Sequence, residues 1–291
     1  VRLVTVDGSG SESVAVLWRR QWDRTAWALS AIANTPHLRW IHTDTAGVDR
    51  LPLEEIGRRG ITLTNAHDVH TPAVSEWALG ALLLAAKRFD DTVRASDARV
   101  WGHPGTALGL QTKTLMILGM GSIGTSLGRM AHALQMDVVG VTRSGRSLPD
   151  FPRVFARAGN WLPEVSKAAF LVNALPYTPA TKSLVDAEIF SRMDTSAWFI
   201  NVGRGETVDE AALCQALDRG AIAGAILDAV ADEPLSPSSP LWGRPNVMVS
   251  PHVSSFNDLT ESKTRGFFEA NLARYLAGER LEAVVDLERG Y

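Results

Sequence analysis

The chain has 291 residues, a formal net charge of −3, 45% hydrophobic residues and 21% charged residues. That is apolar material for packed cores in about two domains, and the near-neutral charge argues against a broad nucleic-acid or acidic-membrane footprint. One cysteine, Cys214, excludes an internal disulfide framework and a thiolate zinc site. The longest apolar run, residues 78–86, is far short of the ~20 residues of a membrane-spanning helix. The chain opens on Val1 without a signal-peptide pattern, so a few native residues are expected ahead of it and a reducing cytoplasm is the expected compartment.

Short apolar runs alternate with helical patterns along the chain. Residues 3–6 and 14–17 read as strands, 25–34 as a helix, 38–42 as a strand, 53–59 as a helix and 61–64 as a strand. Such alternation implies parallel sheets covered on both faces. The link 7–13 is too short for a crossover helix, so the first domain looks trimmed at its start. Thr71-Pro72 suits a helix start. Leu79, Leu82, Leu83, Ala86, Phe89 and Val93 carry one long helix to about residue 99, where Gly102-His103-Pro104-Gly105 breaks it. The crossing between domains is placed on this helix. A second series follows, with strands at 115–118, 138–141, 169–172, 198–202, 222–227 and 247–249, and helices such as 123–134 and 210–219. The prolines of residues 234–240 mark a loop. A last helix over 259–276 sets Phe267, Phe268, Leu272, Tyr275 and Leu276 on one side.

The strand at 115–118 ends in Gly119-Met120-Gly121-Ser122-Ile123-Gly124, and a helical pattern begins at once. This G-x-G-x-x-G turn between strand and helix is the arrangement that holds a dinucleotide pyrophosphate: tight turn, close backbone approach, close helix packing, and a helix start that favours negative charge. The end of the next strand decides the ribose. A carboxylate there binds the two hydroxyls of NAD, but the sequence has Val141-Thr142-Arg143-Ser144-Gly145-Arg146. Arg143, Ser144 and Arg146 suit the 2′-phosphate of NADP, because a guanidinium binds phosphate with paired hydrogen bonds. NADP is therefore expected, with NAD possible.

Three later strand ends carry Arg204, Glu233 and His252, and ligands of an open parallel sheet sit beyond the carboxyl ends of its strands. Singly, each has a bland reading as a turn, a loop acid or a structural histidine. Together they suit hydride transfer to a 2-keto acid: arginine for the carboxylate and the ketone, histidine for the proton, a carboxylate to hold the imidazole and favour its charged form.

The same residues carry a resemblance to the D-isomer-specific 2-hydroxyacid dehydrogenases. GMGSIG (119–124), LPYTPATK (175–182), NVGRG (201–205), LDAVADEPL (227–235), PLW (240–242) and SPHVSS (250–255) follow in that family's order, and TAGVD (45–49), TPAVSEW (71–77) and VVDLERGY (284–291) extend the match. The NADPH-linked glyoxylate and hydroxypyruvate reductases are the most similar branch. The resemblance implies a Rossmann dinucleotide-binding domain, residues 89–256, inserted into a flavodoxin-like substrate domain, residues 1–88 and 257–291, with cofactor and substrate in the cleft between them. It implies that Arg204 binds substrate, Glu233 supports the acid/base, and His252 is the acid/base. Ala46, Gly47 and Val48 offer N–H groups to the substrate carboxylate. Leu175, Pro176, Thr181, Val202, Gly203, Asp228 and Ser255 line the cofactor site, with Asp228 near the carboxamide. It also implies a homodimer, and Trp101 stands where some members send an aromatic to a neighbouring subunit; a hydrophobic loop anchor is the other reading. Ser254-Ser255 departs from the glycine often found there.

The expected activity is reduction of a small 2-keto acid to the D-2-hydroxy acid. The alternatives are an NAD-linked dehydrogenase of a bulkier 2-hydroxy acid and a cofactor-sensing, corepressor-like binding protein. His67, Asp68 and His70 read as a polar loop rather than a metal site, Cys214 as core, and the nine dispersed tryptophans as core and pocket walls rather than a nucleic-acid platform.

Overall fold

The computed structural model describes residues 29, 32, 33, 35, 38–102 and 107–291. The strands expected at 3–6 and 14–17, the link 7–13 and most of the helix expected at 25–34 lie outside the described residues. The chain divides into two compact units, Val1–His70 with Asn257–Tyr291, and Thr71–Phe256. In chain order the elements are β1 (Trp40–His42), α1 (Leu53–Arg58), β2 (Thr62–Thr64), α2 (Thr71–Lys87), α3 (Phe89–Asp97), β3 (Thr114–Leu118), α4 (Ser122–Ala133), β4 (Asp137–Thr142), β5 (Val154–Ala156), α5 (Leu162–Val165), β6 (Ala168–Asn173), α6 (Ala187–Arg192), β7 (Trp198–Asn201), α7 (Glu210–Asp218), β8 (Gly224–Leu227), β9 (Val247–Val249) and α8 (Thr260–Ala277).

In the first unit β1 and β2 pair in parallel, Trp40 opposite Thr62 and His42 opposite Thr64. One face buries Ile41, Leu63, Ile56 and Val285 together. On Trp40 stack Phe268 and Tyr275 of α8, with ring centroids 5.9 and 5.1 Å away. Removing so buried an indole costs about 3–5 kcal/mol. The Trp40 Nε1 donates to Thr64 Oγ1 at 2.8 Å, and His42 Nδ1 meets the same hydroxyl at 2.8 Å. The His42 ring also lies against Phe267 and Phe268. Burial without a charged partner lowers its pKa from 6.5 to about 4. The closing segment is thus part of the first unit's core. Leu276, expected on the same apolar side of α8, is instead exposed.

The second unit is built on a seven-stranded parallel sheet in the order β5-β4-β3-β6-β7-β8-β9. The chain builds outward from β3 on one side, then returns to β6 on the other, so the order reverses at β3. The run Thr114–Leu118 is apolar throughout because both sheet faces are covered. Leu115 and Ile117 pack in one layer with Leu82 and Leu127, while Met116 and Leu118 pack in the other with Phe199 and Leu213.

Two expectations change. The single helix expected over 71–99 is two helices, because Arg88 adopts a left-handed backbone (φ 56°, ψ 41°) between α2 and α3. Phe89 and Val93, which extended the apolar spacing, are exposed, and no residue of α3 is buried. The first crossing between units falls at 70/71 rather than 88/89, because α2 packs with Leu127 and Ala131 of α4 and its Ser75 hydroxyl meets that of Ser126 at 2.9 Å. The edge strand β5 adds a seventh strand to the six that the sequence pattern picks out in this unit. No helix among the described residues is long and apolar enough to cross a membrane.

Candidate active site

The glycine turn leaves β3 at the point where strand order reverses, where ligands of doubly wound sheets bind. Gly119 has φ +99°, and a Cβ there would stand 2.7 Å from the Ala174 carbonyl oxygen. At Gly124 a Cβ would stand 2.2 Å from the Gly119 carbonyl oxygen, so helix and turn close only on glycine. Around Gly121 nothing lies within 4 Å of the Cβ position, which leaves the backbone open to a ligand beside the N-terminus of α4. These features fit a dinucleotide pyrophosphate held by backbone from Gly119 to Gly124. Past β4, Thr142 Oγ1 accepts from the Gly145 N–H at 2.9 Å, and the folded loop brings the Arg146 guanidinium to the Met120 carbonyl at 3.4 Å. Arg143 and Ser144 are exposed on this loop. The basic loop therefore lies beside the glycine turn, as a 2′-phosphate site requires.

The ends of β6, β7 and β8 are tied by buried amides. Asn173 Nδ2 donates to Asn201 Oδ1 at 2.8 Å and to Thr207 Oγ1 at 2.7 Å, and Asn201 Nδ2 donates to the Ala229 carbonyl at 2.8 Å. Thr207 Oγ1 donates to the Arg204 carbonyl at 2.6 Å, and the Gly203 N–H donates to Asn201 Oδ1 at 3.1 Å. Val202 and Gly203 are buried here, as are Leu175 and Thr181 after β6, where Thr181 Oγ1 bonds the Pro176 carbonyl at 2.7 Å. Gly205 lies so close to the next loop that a Cβ would stand 1.9 Å from the Val230 carbonyl carbon. The loop carrying Arg204 is thus seated against the loop carrying Glu233. The Arg204 guanidinium itself is half-buried and donates to the Gly203 carbonyl at 3.0 Å.

Glu233 and His252 meet directly. His252 Nδ1 lies 3.0 Å from both Glu233 carboxylate oxygens. A carboxylate only accepts, so Nδ1 carries the proton and Nε2 is left to exchange one with a ligand. Glu233 is nearly enclosed, with its side chain 7% exposed, while that of His252 is 34% exposed. The Val230 N–H also donates to Glu233 Oε1, at 3.3 Å.

Asp228, expected beside the cofactor, orders the turn that carries His252. Its carboxylate is buried and accepts from Ser250 Oγ at 2.6 Å, the Val253 N–H at 2.8 Å and the Ser254 N–H at 3.0 Å. These bonds gather the turn in which His252 takes φ 53°. Glu210 went unnoticed in the sequence. Its Oε1 accepts from the Ala231 N–H at 2.6 Å, two residues before Glu233. Burial pushes its carboxyl above the usual range, and Asp232, Glu206 and Glu233 add to the rise against the pull of the Ala231 N–H. Its position at the start of α7, nine residues after Asn201, was the only available signal.

Ala46, Gly47 and Val48 follow β1 in the first unit. Among the described residues none of their three N–H groups has an acceptor. Asn65 Nδ2 fixes the loop by donating to the Ala46 carbonyl at 2.7 Å. Elsewhere, His67 and Asp68 pair at 3.4 Å on the surface, and no group of three His, Cys, Asp or Glu among the described residues is placed to hold a metal ion. Cys214 is half-buried and packs against the core of the second unit, and burial raises its thiol pKa.

Residues 79–254 match the family model described as D-isomer specific 2-hydroxyacid dehydrogenase, NAD binding domain. A glyoxylate/hydroxypyruvate reductase B from Pectobacterium carotovorum is 33% identical over 260 residues, spanning 88% of this chain and 81% of that protein. The crystal structure of an NADPH-dependent glyoxylate/hydroxypyruvate reductase from Sinorhizobium meliloti, in complex with NADP and sulfate, has a TM-score of 0.81 at 30% identity, covering 96% of this chain and 86% of that one. A D-isomer specific 2-hydroxyacid dehydrogenase family protein from Aeromonas salmonicida gives a TM-score of 0.81 at 33% identity, covering 94% and 85%. The chain belongs to the D-isomer specific 2-hydroxyacid dehydrogenase family.

Proposed function

We propose that the chain reduces a small 2-keto acid, glyoxylate or hydroxypyruvate in kind, to the D-2-hydroxy acid with a nicotinamide cofactor, NADPH before NADH. The observation that carries this reading is the Glu233–His252 pair at 3.0 Å on the carboxyl edge of a Rossmann sheet, one loop from Arg204. The bound dinucleotide supplies a hydride to the carbonyl carbon. Arg204 pairs with the substrate carboxylate and polarises the ketone, drawing charge onto its oxygen. His252 delivers the Nε2 proton to that oxygen, and Glu233 holds the ring and offsets the charge of its protonated form. The free N–H groups of residues 46–48 receive the substrate carboxylate. Gly119 to Gly124 hold the pyrophosphate, and Arg143, Ser144 and Arg146 hold the 2′-phosphate. Leu175, Pro176, Thr181, Val202, Gly203, Asp228 and Ser255 line the cofactor site, with Asp228 near the carboxamide. The relatives named glyoxylate/hydroxypyruvate reductase support the substrate class, and the Sinorhizobium meliloti structure, named NADPH-dependent and holding NADP, supports the cofactor.

A homodimer suits the exposed apolar side chains of Phe89, Val93, Val100 and Trp101. All four are exposed, and Trp101 stands entirely clear of its own chain. A reducing cytoplasm suits the single half-buried thiol. The test is loss of reduced-cofactor absorbance with purified protein, NADPH and NADH in parallel, against glyoxylate, hydroxypyruvate, pyruvate and phenylpyruvate. Faster turnover with NADPH and a two- or three-carbon keto acid is expected. Turnover confined to NADH and phenylpyruvate would overturn both the cofactor and the size assignment.

A further inference from the structure

β1 ends at His42, and the chain then runs through Asp44 to the loop of residues 45–48, at the carboxyl edge of the first unit's parallel strands. Asp44 is 8% exposed, and its Oδ1 is buried with no hydrogen-bond partner. The neighbouring side-chain donors are already committed. Thr45 Oγ1 donates to the Gly47 carbonyl at 2.9 Å, so Thr43 is the donor in the Thr43–Thr45 hydroxyl pair at 3.0 Å. Asn65 donates to the Ala46 carbonyl at 2.7 Å. His70 Nε2 donates to Asp44, but to its backbone carbonyl, at 2.7 Å. A buried acceptor without a donor is destabilising, and one in a native structure calls for a ligand or water that completes it. A carboxylate is also an unfavourable neighbour for N–H groups that receive an anion, unless it has its own cationic or protic partner.

We infer that Asp44 is a specificity-determining residue: its free oxygen accepts a hydrogen bond from a hydroxyl or ammonium group that the substrate carries beyond its ketone. The inference rests on the reading of residues 45–48 as the substrate-carboxylate site. It narrows the substrate class to 2-keto acids with a protic substituent at C3 or further out, and it disfavours a methyl or a second carboxylate there. A site built to bond such a group rejects the analogue that lacks it, because the analogue leaves the buried acceptor bare.

Hydroxypyruvate and pyruvate differ only in that hydroxyl, and glyoxylate has no C3 at all. Steady-state kcat/KM with all three would be measured for the wild-type enzyme, Asp44→Leu and Asp44→Asn. The wild-type enzyme should prefer hydroxypyruvate to pyruvate by at least about tenfold, and Asp44→Leu should reduce that ratio by about tenfold or more. Hydroxypyruvate turnover should fall further than glyoxylate turnover in the same variant. Asp44→Asn keeps an acceptor oxygen and should retain part of the preference; if Asp44→Leu does not fold, Asp44→Ala, which removes the acceptor without adding bulk, carries the same expectation. A hydroxypyruvate/pyruvate ratio equal in wild-type and acceptor-free variants, with glyoxylate still reduced, overturns this inference and leaves the proposed function standing. A wild-type enzyme that reduces none of the three overturns the proposed function and this inference with it.

Discussion

Acid should loosen the first unit through one side chain, His42. Its imidazole sits among Trp40, Phe267 and Phe268, and burial lowers its pKa from 6.5 to about 4. Between those two values the unfolded chain binds a proton that the folded chain refuses. Stability is therefore full above about pH 6.5 and is lost as pH falls toward 4. With these two values the loss at pH 5, relative to pH 7.5, is about 2 kcal/mol from this residue alone. His42→Phe keeps an aromatic ring in the cluster and leaves Thr64 Oγ1 its bond from Trp40, but it removes the titration. Urea unfolding followed by tryptophan fluorescence at pH 7.5 and pH 5, for both proteins, isolates the term, since every other titrating group is shared. The variant should lose about 2 kcal/mol less than the wild type over that interval. Equal losses in the two proteins would refute the linkage.

Glu233→Gln keeps an acceptor for the His252 Nδ1 proton but drops the charge. A hydrogen bond to a charged group is worth about 1.5–3 kcal/mol, so kcat should fall about 10–100-fold with the keto-acid KM little changed; unaltered kcat would remove Glu233 from its role. Glu210→Ala leaves the Ala231 N–H without its partner and should slow kcat about tenfold, while Glu210→Gln, whose amide oxygen still accepts, should recover most of it. A Gln variant as slow as the Ala variant would show that the Ala231 bond does not position Glu233. Arg143→Asp should reduce kcat/KM for NADPH about 10–100-fold and for NADH far less; equal losses would undo the 2′-phosphate assignment.

The sheet of the second unit was legible because buried parallel strands are short continuous apolar runs bounded by turn residues, as at Thr114–Leu118 and Gly224–Leu227. The glycine turn was legible for a stronger reason: its spacing is imposed by backbone approach, which the sequence records directly. The edge strand β5 is an apolar run of only three residues, Val154–Ala156, set between Arg153 and Arg157, and does not stand out from the loop around it. The break at Arg88 was hidden because Phe89 and Val93 continue a helical period while facing solvent. At the site, residue type and position after a strand were enough to single out Arg204, Glu233 and His252. What holds them was not legible, because it is made over long separations: Asp228 reaches Val253 and Ser254, Glu210 reaches Ala231, and Asn173 reaches Thr207. No local pattern encodes those pairings.

The second unit occupies one continuous stretch of chain, whereas the first is assembled from both ends. During synthesis this reverses the usual order of completion. Trp40 leaves the ribosome roughly 230 residues ahead of the α8 rings that cover it, a wait of roughly 10–45 s at ordinary elongation rates. Through that interval the nucleotide-binding stretch can finish folding, while β1 and β2 lack Phe268, Tyr275 and Val285. A nascent chain with residues only as far as about 256 clear of the ribosome would therefore hold a completed sheet and an uncovered indole, and holdase chaperones and proteases would meet that indole first.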